Sequence, residues 1–273
     1  MPLKINVRGV FFDSVTLDEA AEWCRSQIEA HRDDPSLPVK VIHTPNAEIV
    51  QLCVEQPAYY SLINAADLTI PDGAGVVLAS KLLRRPLKKG KVAGIELCER
   101  MCAMSGALNC GVYFLGGRPG VAEQAAEKLR EKYPDLIVAG THDGYFPKID
   151  TLEMAEAYKK GEPCEALTQE ILESEAEVIR AINESGAGMV AVCLGVPKQE
   201  IWIDAHRREL KAALAGGFGG SADVFAGHVK RAPVIFRKLG LEWFYRLLRE
   251  PSRAGRMMKL PKFIFGTVFS AKK

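Results

Sequence analysis

The sequence predicts an α/β fold, a Rossmann-like and mainly parallel sheet with helices on both faces, followed by a basic helical appendage at the C-terminus. Two runs, Gly111–Leu115 and Met189–Leu194, are apolar throughout, as strands covered on both faces must be. Each is followed by a turn rich in glycine or proline and then by a helical pattern, the alternation that builds parallel sheets. The third observation is charge. Twelve Lys or Arg against two Glu give residues 228–273 a charge of +10, and the remaining 227 residues, with 24 cations and 32 acids, carry −8.

In chain order, Val39–His43 reads as a short strand ending at Thr44-Pro45-Asn46, and an apolar helical pattern covers Ala47 to Ile63. Leu68–Ile70 is a second strand that meets Pro71-Asp72-Gly73, before a helix from Ala74 to Leu83. The strand over Gly111–Leu115 meets Gly116-Gly117-Arg118-Pro119-Gly120 and an amphipathic helix from Val121 to Tyr133. Ile137–Gly140 is another strand, with Asp143–Phe146 as a loop. Residues 150–177 hold nine acids against Lys159 and Lys160 and read as a solvated, partly helical insertion. Met189–Leu194 turns at Val196-Pro197 into a helix running to about Leu214. Domain boundaries follow: a core over 1–227 and an appendage over 228–273.

The 273 residues suffice for a substantial core, and no apolar run approaches the roughly 18 residues of a spanning helix. The N-terminal stretch lacks the pattern of a signal peptide. Seven irregularly spaced cysteines read as buried free thiols in a reducing, cytoplasmic compartment, and no second Cys/His pair joins Cys98 and Cys102 to make a zinc site. In the basic tail, Phe236, Trp243, Phe244, Tyr245, Phe263, Phe265 and Phe269 alternate with the cations, as in a helix that lies on an anionic bilayer. A C-terminal helix docked on the core with a solvated basic face is the equal alternative.

Sheets of this kind place ligands at the carboxyl ends of their strands. That rule selects 44–46, 71–73, 116–120 and 196–199 as a rim. Gly116 and Gly117, after a strand and before a helix, can let backbone amides approach a phosphate, but the dinucleotide fingerprint Gly-x-Gly-x-x-Gly is not met. Asp72 in its tight turn can serve as a general base; on local sequence alone it reads first as the cap of the next helix. Thr44 and Asn46 are explained by turn chemistry around Pro45, and Gln199 by a polar helix start. Gly216–Ser221 holds more glycine than a turn needs, which suggests backbone close to a ligand. No Asp-x-Asp pair is present to bridge a diphosphate through a metal, so any diphosphate must meet Arg, Lys or backbone amides.

The segments His43–Glu48, Ala66–Gly73, Tyr113–Gly117, Asp143–Phe146, Leu194–Glu200, Gly219–Asp223, Val229–Pro233 and Leu239–Leu248 together resemble the TagA/WecG/CpsF family of bacterial glycosyltransferases, in the family's order along nearly the whole chain. The resemblance implies an inverting transferase that needs no metal or other cofactor. It would move N-acetylmannosamine or a related sugar from a UDP-sugar to N-acetylglucosaminyl-diphospho-undecaprenol, in teichoic acid or other surface-polysaccharide synthesis. It implies a peripheral protein on the cytoplasmic face of the membrane, held there by the appendage. Asp72 falls on the family's general base, and Thr44, Asn46, Gln199 and Asp223 on positions that contact the sugar nucleotide. Arg246, Arg253 and Arg256 match tail arginines that close over the pocket and hold diphosphate charge.

Two departures stand out. The acidic stretch at 150–177 looks longer than the family's usual connection, which leaves homo-oligomerisation open, and Val196 and Ala222 differ from residues common in relatives. An NAD-dependent oxidoreductase would need the missing glycine fingerprint. A non-enzymatic module binding nucleic acid through the tail would show steep salt dependence.

Overall fold

The computed structural model describes residues 3–249 and 259–270. The chain divides into two compact units, one of residues 1–17, 44–93 and 230–273, the other of 18–43 and 94–229.

The second unit carries five parallel strands in the order β3 (Lys40–His43), β8 (Leu214–Gly217), β7 (Met189–Cys193), β5 (Val112–Gly116), β6 (Val138–His142). Every residue of β5 and β7 is buried, which accounts for their unbroken apolar sequence. Register sets Gly116 beside Cys193 and Val192 beside Gly217, so the three central strands finish at one edge. The helices of this unit are α1 (Leu17–Asp33), α5 (Gly94–Met104), α6 (Val121–Lys132), α7 (Leu152–Lys160), α8 (Gln169–Glu184), α9 (Lys198–His206) and α10 (Ser221–Phe225). The seven cysteines are free, and all but Cys164 are buried.

Two expectations change here. The helix expected to reach Leu214 ends at His206, and the Ala- and Gly-rich run after it is β8, a central strand. Small residues fit there because Phe218 folds back over the strand, its ring where a side chain at Gly216 would project. The acidic stretch is not merely a solvated insertion. It supplies α7 and the first half of α8, whose Thr151 and Thr168 hydroxyls cap their N-termini. It also buries one of its acids, Glu175, which is 1% exposed.

Glu175 accepts from the Ile149 amide (2.7 Å) and the Trp202 indole (2.7 Å), and its Oε2 lies 3.2 Å from His206 Nε2. His206 Nδ1 reaches Glu209 at 3.0 Å, and Glu209 accepts from the Tyr158 hydroxyl. The network thus ties α8 and the end of α7 to α9. Burial disfavours the imidazolium, but the two carboxylates outweigh it and raise the His206 pKa. Burial works against the Glu209 carboxylate too, yet the bond from His206 and its charge leave that pKa lowered.

In the first unit, β1 (Lys4–Val7) and β2 (Val10–Asp13) form an antiparallel hairpin. Its two-residue turn, Arg8-Gly9, has both φ positive (53° and 93°), the mirror-image turn that matches strand twist. The helix expected over 47–63 is two, α2 (Ala47–Glu55) and α3 (Ala58–Asn64), because Pro57 cannot continue the ladder of α2. β4 (Leu68–Thr69) follows, its Thr69 amide donating to buried Asp13 at 2.8 Å.

Next comes α4 (Ala74–Leu82). It ends in a Schellman motif, with Arg85 N–H on Ser80 O (2.9 Å) and Arg84 N–H on Lys81 O (3.0 Å). The left-handed position in that motif belongs to Arg84, at φ 56°, where glycine is unstrained. Arg84→Gly is therefore expected to stabilise the fold by about 1 kcal/mol, raising Tm by roughly 2–4 °C. A lowered Tm in a calorimetric scan would mean that the arginine side chain contributes more than its backbone strain costs.

From the tail, the unit holds α11 (Val234–Lys238), α12 (Glu242–Arg249) and α13 (Lys259–Ser270). α13 packs on α2 and α4, burying Phe263 completely, while Lys262 pairs with Glu55 at 2.6 Å. The docked alternative for the tail therefore holds for this helix. Its Phe265 and Phe269 nonetheless stay exposed (67% and 68%). No helix among the described residues is long and apolar enough to cross a membrane.

Candidate active site

In the first unit the turns at 44–46 and 71–73 come together: the Asp72 amide donates to Pro45 O at 3.3 Å. Thr44 is buried, and Asn46 caps α2 by accepting from the amides of Glu48 (2.9 Å) and Ile49 (3.1 Å). That cap occupies the Asn46 oxygen and leaves its amide nitrogen for other partners. Asp72 is not the cap of α4. The N-cap is Gly73, in a backbone region open only to glycine (φ 89°, ψ 151°), and it contributes no side-chain bond. Asp72 is half-buried and sits on a short loop held by backbone bonds to Pro45 and from Val92 to Pro71. In the same unit Lys91 lies 3.9 Å from Glu242 of α12.

In the second unit the strand ends gather Gln199, Gly116, Gly117 and Asp223. α9 is buried almost all round, so Gln199 is 1% exposed and is not the solvated helix-start residue that its local sequence suggests. Its Oε1 accepts from Gly219 N–H at 2.8 Å, and its Nε2 donates to Glu200 Oε1 at 2.8 Å. A Cβ at Gly217 would lie 2.8 Å from that nitrogen, so the glycine that ends β8 makes room for Gln199.

Gly116 is glycine because a side chain there would meet the Cys193 backbone, and Gly117 O accepts from Gly144 N–H (2.8 Å). Packing between strands thus accounts for the first glycine of the turn without a phosphate. Asp223 is half-buried in the first turn of α10, with Oδ2 about 4.0 Å from where a Cβ on Gly220 would be. Arg246 lies on α12 without a described side chain, and Arg253 and Arg256 lie outside the described residues.

Sequence reasoning missed Glu200, the partner that orients Gln199. Its side chain is 1% exposed, and among the described residues Oε2 has no hydrogen-bond partner. Burial pushes its pKa up to about 7. The native state therefore keeps a proton that the unfolded chain releases, and this residue's contribution to stability declines as pH rises from the ordinary carboxylate range toward 7. The signal was an acid inside a helix with no polar face. Glu200→Ala strands the Gln199 amide and is expected to cost about 1–3 kcal/mol in urea unfolding. Glu200→Gln, which keeps the acceptor oxygen, is expected to lose much less at pH 8. Equal losses would show that the bond to Gln199 is not what matters.

The sequence from 5 to 273 matches the model of the glycosyl transferase WecG/TagA/CpsF family. The chain belongs to this family. It is similar, at 34% identity over 270 residues, to an N-acetylglucosaminyldiphosphoundecaprenol N-acetyl-beta-D-mannosaminyltransferase of Staphylococcus aureus strain MW2, covering 99% of this chain and 94% of the relative. A Bacillus spizizenii protein of the same name is 34% identical over 223 residues, or 82% of this chain and 76% of its own. As a WecG/TagA/CpsF member the chain is a glycosyltransferase, which sets aside both the oxidoreductase and the non-enzymatic readings.

Proposed function

We propose that this glycosyltransferase moves N-acetylmannosamine, or a closely related sugar, from a UDP-sugar to N-acetylglucosaminyl-diphospho-undecaprenol, inverting the anomeric centre. The observation that carries the reading is the near full-length likeness to two transferases named for that sugar and that acceptor. Asp72 is the general base. It takes the proton of the acceptor hydroxyl as that oxygen attacks the anomeric carbon and UDP leaves. Its placement on a loop tied to Pro45 suits a group that must hold position through the reaction.

Thr44, Asn46, Gln199 and Asp223 contact the sugar nucleotide, with Gly116 and Gly117 offering backbone amides. Buried Gln199 suits this role because Glu200 and Gly219 fix its amide in one orientation. Arg246, Arg253 and Arg256 neutralise the diphosphate, a task their planar forks perform without a metal. The exposed Phe265 and Phe269, with the +10 tail, support peripheral attachment to the anionic cytoplasmic face of the membrane.

The test offers purified protein UDP-N-acetylmannosamine and a short-chain N-acetylglucosaminyl diphosphate lipid in the presence of a chelator. Disaccharide-lipid and UDP in equal amounts are expected. Product from another UDP-sugar alone would reassign the donor, and no product from any donor with this acceptor would overturn the acceptor assignment.

A further inference from the structure

A second basic feature lies far from the tail in sequence. Residues 78–91 hold six cations (Lys81, Arg84, Arg85, Lys88, Lys89, Lys91) and no acid. The dipole of α4 favours cations at its C-terminal turn, where Lys81 and Arg84 sit, but not those several residues beyond. The loop that carries the rest is fixed from within. Ser80, fully buried, accepts the Arg85 amide on its carbonyl and the Leu87 amide on its hydroxyl (3.0 Å), and Leu87 is itself buried. Arg85, Lys88 and Lys89 are thereby held outward, all exposed.

Opposite them stands the β1–β2 hairpin of the same unit. Between loop and hairpin lies an open cleft of about 530 Å³. Its hairpin wall carries apolar Leu3, Ile5 and Phe11 beside polar Lys4, Asn6 and Ser14, with Leu3 72% and Phe11 43% exposed. The cation on that wall, Lys4, is 3.7 Å from buried Asp13. One turn before the basic loop, Leu78 and Leu82 sit four residues apart on α4, and both are exposed (48% and 37%). Apolar side chains open to solvent beside the exposed cations Arg85 and Lys88 match the two halves of an anionic amphiphile.

We propose that this cleft binds an anionic membrane phospholipid, with its phosphate at Arg85, Lys88 and Lys89 and the start of an acyl chain against Leu3, Ile5 and Phe11. The site would give the protein a membrane contact independent of its C-terminal tail, and it stands whether or not the donor and acceptor are as proposed above.

The test is co-sedimentation of the full chain with vesicles of phosphatidylcholine alone or mixed with phosphatidylglycerol. Arg85→Gln/Lys88→Gln is expected to lower partitioning onto the mixed vesicles roughly 30-fold, since each basic residue near such a surface contributes about a factor of five. Both positions are exposed, so the unfolding curve should not move. Partitioning equal to that of the unaltered chain would overturn the proposal.

A second arm separates lipid from free phosphate. The fluorescence that Phe11→Trp adds should be quenched by lipids brominated in the acyl chain. No quenching, with vesicle binding abolished by millimolar inorganic phosphate, would reassign the cleft to a soluble phosphate and overturn the lipid. Transfer to a water-soluble acceptor, measured on the same variants, is expected to be unchanged. An unaltered chain inactive in that assay would count against the transferase assignment alone.

Discussion

Asp72→Asn is expected to lower the rate of sugar transfer by about 10²–10⁴-fold, the usual contribution of a positioned base. The amide is nearly isosteric with the carboxylate, and the backbone bond from residue 72 to Pro45 O does not depend on the side chain. The variant should therefore fold as the native chain does and keep its KM for the donor, with the loss confined to kcat. The check is steady-state transfer at saturating donor, alongside a thermal scan. A fall of less than tenfold would mean that another group takes the proton. A fall accompanied by a large drop in Tm would mean that Asp72 holds the loop instead.

Glu175→Ala should be the most destabilising single change in the second unit, at about 3–5 kcal/mol. It removes the acceptor of the Ile149 amide and the Trp202 indole, and it deprives buried His206 of one of its two carboxylates. The pH dependence supplies an independent check. A raised His206 pKa contributes stability that is fully present below the ordinary histidine range and is lost as pH rises through the raised value. The lowered Glu209 pKa acts at the other end, its contribution disappearing as pH falls through that value. Urea unfolding of the native chain should therefore show the His206 part of its stability declining on the alkaline side. In Glu175→Ala that decline should shrink, because one of the two carboxylates raising the pKa is gone. An unchanged profile would mean that His206 is neutral throughout.

The strands that could be read from sequence were those with no polar interruption: β5 and β7 needed only their apolar runs and the glycine or proline turns after them. β8 was hidden because Leu-Ala-Gly-Gly has little strand propensity; the close approach of Phe218 and Gln199 selects its glycines, and neither approach has a local signal. The hairpin was missed for a similar reason, since Arg-Gly is a weaker announcement of a mirror-image turn than Asn-Gly. Thr44, Asn46, Asp72 and Gln199 were all visible as polar residues at strand ends. Their surroundings were not: a helix cap for Asn46, a glycine in place of an aspartate cap, and complete burial for Gln199. Glu175 and Glu200 lay deepest out of sight. Composition treats an acid as surface, and only tertiary packing shows which one is enclosed with an indole or an amide beside it.

The fit of Gln199 against Gly217 bears on any attempt to retarget the sugar donor. Positions 199 and 217 do not behave as independent sites in a mutant library. Adding even a methyl group at 217 obliges residue 199 to shorten or turn away, which releases both Glu200 and Gly219. Variants drawn one position at a time will therefore score both as intolerant. Only paired substitutions can reveal which alternatives this part of the protein accepts.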